Sequence, residues 1–171
     1  LKNTKALMVT DFRRIKARHL ATGYIEDSIK GNLKAHELKN FVFYLGDFYG
    51  DGSVISTARD LKKWNDFLGK FKLSVNAQFS EAYIPVFKND GSIYEIQKGV
   101  SYGFGWSLRN EPPMGKIFSH NGVHPGYITN YYRYPDKNTT LIVCRNIDQR
   151  LPFSPYLQAV RDLLPFLTEV N

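Results

Sequence analysis

Four short segments of strand character, separated by turn residues, fill the stretch from Tyr102 to Arg145 and restrict the topologies open to this chain. Tyr102 to Leu108 is predicted as the first strand, and Pro112, Pro113 and Gly115 turn the chain after it. Lys116 to Asn121 is the second, broken by Gly122 through Gly126 with Pro125. Tyr127 to Tyr134 is the third, closed by Pro135-Asp136. Thr139 to Arg145 is the fourth, almost entirely β-branched or apolar. Connections this short leave little room for the dozen or more residues of a parallel crossover and favour antiparallel neighbours.

Helix signals flank this region. Ser56 or Thr57 offers an N-cap, Asp60 suits the first turn, and Leu61, Trp64 and Leu68 recur at helical spacing. A helix over 57–69 follows, with Gly69 as its stop. A shorter helix is predicted over 74–84, and Asp90-Gly91 marks a hairpin turn. Ser154-Pro155 opens a last helix with Leu157, Val160, Leu164 and Leu167 on one face, kinked at Pro165. The fold class is therefore α+β, an antiparallel sheet with flanking helices, in a single domain over 1–171.

A hydrophobic content of 43% with 23% charged residues suits a packed core and excludes a disordered or low-complexity chain. No apolar run approaches the roughly 18 residues of a membrane span. The lone cysteine, Cys144, excludes an internal disulfide and a cysteine-based zinc site. Its apolar neighbours predict a small buried hydrophobe. The net charge of +7 is spread along the chain, densest at Arg13, Arg14, Lys16 and Arg18. A solvated basic face accounts for it. Stacking of bases on the aromatic and basic run Tyr127 to Tyr134 is a remote alternative, and no nucleic-acid partner is expected.

His120-Asn121-Gly122 is the local feature most suited to chemistry. A titratable ring at a strand end, next to a glycine, sits beside backbone N–H groups that a fixed rim can aim at a developing oxyanion. The same histidine also has a plain structural reading. His120 and His124 are four apart, but Gly122 and Pro125 argue against the helix that would turn them to one metal. Ser119 is no partner for His120, because adjacent strand side chains point to opposite faces. No Gly-x-Ser-x-Gly elbow, phosphate loop or dinucleotide fingerprint is present. Asn138-Thr139-Thr140 is a formal glycosylation sequon.

Taken in order, several motifs resemble one family. Leu20-Ala21-Thr22-Gly23-Tyr24, the glycine-rich Gly50 to Leu61, Tyr102-Gly103-Phe104-Gly105-Trp106, and His120-Asn121-Gly122 with Gly126, Pro135 and Asn146 are similar to segments of the serine β-lactamase and penicillin-binding-protein superfamily. The branch they resemble is that of class C β-lactamases, esterases and D-amino-acid peptidases. The resemblance implies the C-terminal part of an α/β/α sandwich and acyl transfer through a serine ester, with no cofactor. His120 would be catalytic, in the place where many relatives have lysine. Asn121 and Gly122 would bind substrate, and the backbone N–H of Val123 would be an oxyanion donor.

That family's nucleophile lies in Ser-x-x-Lys, and no serine in these 171 residues has lysine three positions on. Ser56 comes closest, but its third neighbour is Arg59, which stays protonated and cannot act as a base. Ser74-Val75-Asn76 has the letters of the second motif but follows the glycine-rich loop instead of preceding it. With a start at Leu1, the chain reads as the C-terminal portion of a serine hydrolase acting on an ester, amide or β-lactam-like small molecule. By itself it is expected to be inactive, and the alternative is a non-catalytic binding or regulatory module. The strand Thr139 to Arg145 would lack a neighbour, so a second copy, residues 1–50, or the rest of the same protein is expected to cover that edge. Export to the periplasm or envelope follows from the resemblance alone.

Overall fold

The computed structural model describes residues 1–6, 21–27, 32–36, 54–71 and 81–148, with Gln158 and Asp162. The basic group at 13–18, residues 74–80 of the short helix predicted over 74–84, Ser74-Val75-Asn76 and nearly all of the last predicted helix lie outside the described residues, and the described end of that short helix is a single 3₁₀ turn, Glu81–Tyr83. Two compact units make up the chain. One comprises Leu1–Phe67, Asn121–Asn130 and Ile142–Gln149, and the other Leu68–His120, Tyr131–Leu141 and Arg150–Asn171.

In chain order the strands are β1 (Lys5–Ala6), β2 (Gly23–Glu26), β3 (Leu33–His36), β4 (Val54–Ile55), β5 (Glu95–Gln97), β6 (Val100–Tyr102), β7 (Ser107–Glu111), β8 (Gly115–His124), β9 (Tyr127–Tyr134), β10 (Thr139–Arg145) and β11 (Ile147–Asp148). Helix α1 is Ala58–Phe71. The main sheet has six strands in the order β10-β9-β8-β7-β6-β5, each next to its neighbour in sequence. β5, β6, β7 and β8 pair antiparallel, as the short connections favour. β9 and β10 have the predicted bounds. Asp90-Gly91 forms the predicted turn, with Phe87 bridged to Ile93 and Gly91 at φ +80°.

Two strand predictions need correction. Tyr102 to Leu108 is not one strand, because the chain turns between β6 and β7, with Gly103 N–H donating to the Trp106 carbonyl at 2.8 Å. Gly105 has φ +78°, a left-handed conformation that glycine adopts freely. β8 also does not stop at Asn121 but runs through Gly122 to His124, since glycine weakens a strand without ending it when a neighbour supplies the ladder.

One face of the second unit's strands carries its core. Ile117 and Tyr134, 2% and 3% exposed, pack together with Met114, Tyr132 and Leu141 against them. Cys144 is not buried as expected but exposed. Its position in β10 turns it away from the half-buried Val143, and the thiol is pushed up by partial desolvation, with a Thr129 hydrogen bond opposing.

In the first unit, Thr57 caps α1 by accepting the Asp60 N–H at 3.2 Å. Asp60 is fully buried and accepts from Asn3 N–H at 2.7 Å, Thr4 Oγ1 at 3.2 Å and Lys63 Nζ at 3.0 Å. The Lys63 hydrogen bond, then that of Asn3, holds its carboxyl below the usual carboxylate range. Gly69 does not stop the helix, which continues to Phe71.

Of the first fifty residues, β2 pairs outside the six-stranded sheet. β2 pairs parallel with β11, Ile147 opposite Tyr24, and antiparallel with β3. It does not lie along β10, which ends the six-stranded order.

Candidate active site

β7 pairs with β8 only from Glu111↔Gly115 to Ser107↔Ser119. Beyond Ser119, β8 keeps β9 on one side, and no described strand pairs with its other edge. Among the described residues, that edge is without a neighbouring strand from His120 onward. Its origin is the turn at Gly103 to Trp106, which takes the chain away from β8 at the level of the histidine.

The β8–β9 connection fixes which groups the edge presents. Pro125-Gly126 is a two-residue turn, with proline first and Gly126 at φ +83°, the type II pattern. The flanking residues, His124 and Tyr127, then form a hydrogen-bonded pair, and alternation follows from there. Gly122 falls opposite Thr129, whose Cβ would lie 3.9 Å from a Cβ built on Gly122. Asn121 falls opposite Asn130, and Asn130 Nδ2 donates to Asn121 Oδ1 at 3.1 Å. In this register the N–H groups of Asn121 and Val123 point away from β9, toward the open edge.

The side chains alternate as the backbone requires. Ser119 is buried at 7% exposure, whereas His120 is exposed, so the two stand on opposite faces. His120 shares its face with Phe118, two residues back, and with Tyr131, its cross-strand partner. Aromatic rings crowd this face. Tyr83 stacks on Phe118 with centroids 4.4 Å apart, and Trp106 lies 5.4 Å from Tyr131 and 5.7 Å from Tyr83. Arg133 Nη1 donates to Tyr83 Oη at 2.6 Å. Burial pushes the Tyr83 phenol up, with Arg133 opposing. The sequence does not single out Tyr83, which reaches this face from the 3₁₀ turn Glu81–Tyr83, while Arg133 reaches it through its place on β9.

The turn itself is held by a glycine contact. A Cβ on Gly126 would sit 2.9 Å from Gly23 Cα, and one on Gly23 would sit 2.6 Å from the Tyr127 ring. Tyr127 Oη donates to the Ala21 carbonyl at 2.6 Å and Asn146 Nδ2 to that of Thr22 at 2.9 Å. Tyr24 N–H donates to the Asn146 carbonyl at 2.9 Å. The Ala-Thr-Gly-Tyr motif thus buttresses the β8–β9 turn through its glycine and its backbone. Val123 is 55% exposed, and Asn121 and Gly122 are also exposed. Among the described residues, no group of three His, Cys, Asp or Glu side chains is arranged to hold a metal ion. No described helix is long and apolar enough to cross a membrane.

Comparison with known proteins supplies the family. A family model described as Beta-lactamase matches residues 10–164. Penicillin-binding protein 4* of Bacillus subtilis (strain 168) is 37% identical over 134 residues, 77% of this chain and 28% of that protein. The octameric penicillin-binding protein homologue from Pyrococcus abyssi superposes with a TM-score of 0.70 at 21% identity, over 96% of this chain and 34% of that one. The D-stereospecific amidohydrolase from a Streptomyces species superposes at 0.52 and 18% identity, over 77% and 36%. The chain thus spans about a third or less of the length of these relatives. At such low identities the structural likenesses establish the fold, while the matched family model and the 37% identity establish kinship. This chain belongs to the Beta-lactamase family, within the serine hydrolase superfamily of β-lactamases and penicillin-binding proteins.

Proposed function

We propose that these residues form one wall of an acyl-transfer site in a longer serine hydrolase, as a partial domain whose nucleophile lies outside them. The open edge of β8 carries this reading. A backbone N–H held on a rigid strand and turned away from β9, that of Val123, suits a carbonyl oxygen that gains negative charge in the tetrahedral intermediate. Val123 N–H is the oxyanion donor in this scheme, and a second donor comes from the residue bearing the nucleophile. His120, exposed above the aromatic face, touches the reacting group and assists proton transfer. Asn121 and Gly122 line the bound acyl portion. The reaction passes through a serine ester that water then cleaves, on a small ester, amide or β-lactam-like substrate. No cofactor enters the scheme.

The relatives support this reading without fixing the substrate: one is named a penicillin-binding protein and another a D-stereospecific amidohydrolase. The octameric state of the Pyrococcus abyssi homologue favours self-association of the longer protein. Export is part of the proposal through the family resemblance alone. The test is hydrolysis of a chromogenic cephalosporin and of p-nitrophenyl acetate by the full-length protein and by residues 1–171 alone. The full-length protein is expected to turn over at least one of them, and the isolated chain neither. Saturable turnover by the isolated chain, abolished by a serine-directed acylating agent, contradicts the placement of the nucleophile.

A further inference from the structure

The last residue of Tyr102-Gly103-Phe104-Gly105-Trp106 carries a ring that the proposed reaction leaves unused. The turn between β6 and β7 delivers Trp106 to the sheet face that His120 shares with Phe118 and Tyr131. The buried core of Ile117 and Tyr134 lies on the opposite face, by the alternation of β8 and β9. The rings beside His120 are therefore a second apolar group, and Tyr83, Trp106 and Phe118 are each only half-buried. Tyr83 and Phe118 stack on each other with 17° between their planes. Trp106 is tilted 42° to Tyr83 and 56° to Tyr131, so among the described residues no ring stacks on its face.

A half-exposed indole between tilted rings fits a planar apolar group, because offset and edge-to-face pairs are favoured at such separations. A group of aromatic rings also suits an ammonium ion. Arg133 decides against that occupant. Its guanidinium carbon lies 5.8 Å from the Tyr83 centroid and its Nη1 donates to Tyr83 Oη, so a cation is already in place and repels a second one. Direction along β8 decides which part of the substrate arrives here. Val123, the proposed oxyanion donor, follows His120 and Phe118 precedes it, so the group expelled from the acyl carbon lies beyond His120, toward the rings. We propose that Trp106, with Tyr83 and Phe118, forms a subsite for an uncharged aromatic leaving group, which makes aryl esters and anilides the substrate class. Collapse of the tetrahedral intermediate breaks the bond to the aryl oxygen or nitrogen, which departs with the proton taken from the serine. This inference rests on the proposed reading of β8 as one wall of an acyl-transfer site.

Two acetates that share an acyl group and have phenolic leaving groups of similar acidity test it. In the full-length protein, kcat/KM for 2-naphthyl acetate is expected to exceed that for phenyl acetate by about tenfold. Trp106→Leu is expected to reduce that ratio to about twofold or less, with Trp106→Phe and Tyr83→Leu in between. An unchanged ratio, both esters losing rate equally, overturns the proposal in favour of a structural role for the indole. A second readout needs no turnover. In ligand-observed saturation-transfer NMR on the full-length protein, 2-naphthol is expected to receive saturation and to lose most of it with Trp106→Leu, whereas tetramethylammonium receives none. A 2-naphthol signal that the substitutions leave unchanged, or saturation of tetramethylammonium that Trp106→Leu abolishes, overturns the subsite. If the unaltered protein hydrolyses neither ester, the proposed function fails, and the NMR measurement still decides whether the rings hold an aromatic group.

Discussion

Replacing Gly126 with alanine attacks the contact that holds the β8–β9 turn. Two costs add. Gly126 has φ +83°, where an L-residue loses roughly 1–2 kcal/mol relative to its preferred conformations. The new Cβ would also lie 2.9 Å from Gly23 Cα and 3.0 Å from both Gly23 C and Tyr24 N. All three are backbone atoms of β2, so no side chain can swing aside, and β2 must retreat by several tenths of an ångström. That movement stretches the Tyr24 N–H bond to Asn146 and the Asn146 Nδ2 bond to Thr22, both 2.9 Å. At about 0.5–1.5 kcal/mol for each of the two weakened bonds, the expected loss is about 2–5 kcal/mol in total. Gly91 is the internal control: its φ is +80°, yet a Cβ there meets nothing within 4 Å. Gly91→Ala should therefore cost only the conformational part, about 1–2 kcal/mol. Urea unfolding followed by circular dichroism measures the difference. With m at about 2 kcal/mol/M, Gly126→Ala should lower the midpoint by about 1–2.5 M, more than the about 0.5–1 M of Gly91→Ala. Equal shifts for the two variants would refute the buttressing of the turn by β2.

Further expectations concern charge, core and chemistry. Because the folded-state carboxyl of Asp60 titrates below its ordinary value, its stabilisation is present above about pH 4 and lost as pH falls through the lowered folded value; melting temperature against pH should show a drop there that Asp60→Asn flattens. Tyr83→Phe removes the acceptor of the 2.6 Å Arg133 bond and should cost about 1 kcal/mol while keeping the Phe118 stack, so near-ultraviolet circular dichroism should change little; a loss of that signal argues against the ring cluster as drawn. In the full-length protein, His120→Ala should lower kcat/KM by roughly 10- to 1000-fold without unfolding, and an unchanged rate would return His120 to a structural role.

What the sequence disclosed and what it hid divide on physical lines. β9 and β10 were legible because β-branched and aromatic residues fill them and Pro135 separates them. Helix α1 was legible from Thr57, Asp60 and the spacing of Leu61 and Leu68. The break between β6 and β7 was not, because it depends on a left-handed Gly105 and on Gly103, where a Cβ would sit 2.9 Å from the Ile84 carbonyl. Nothing local separates a glycine that turns a strand from one that merely interrupts its side chains, as Gly122 in β8 demonstrates. Cys144 was misjudged from its apolar neighbours, where the alternation of β10 decided its side. His120, Asn121, Gly122 and Val123 stood out as a motif, whereas Asn130 and Tyr83 join them only through cross-strand register and a distant turn. Register is a long-range property, and single-chain patterns carry little of it.

The central claim is that β8 offers a wall to a nucleophile supplied from outside residues 1–171. The most direct measurement is peptide mapping by mass spectrometry of the full-length protein after treatment with a serine-directed acylating agent. The account predicts a single labelled serine outside these residues, in a Ser-x-x-Lys sequence, and no label on any serine within them. A stoichiometric adduct on a serine of this chain, such as Ser56 or Ser119, would contradict it.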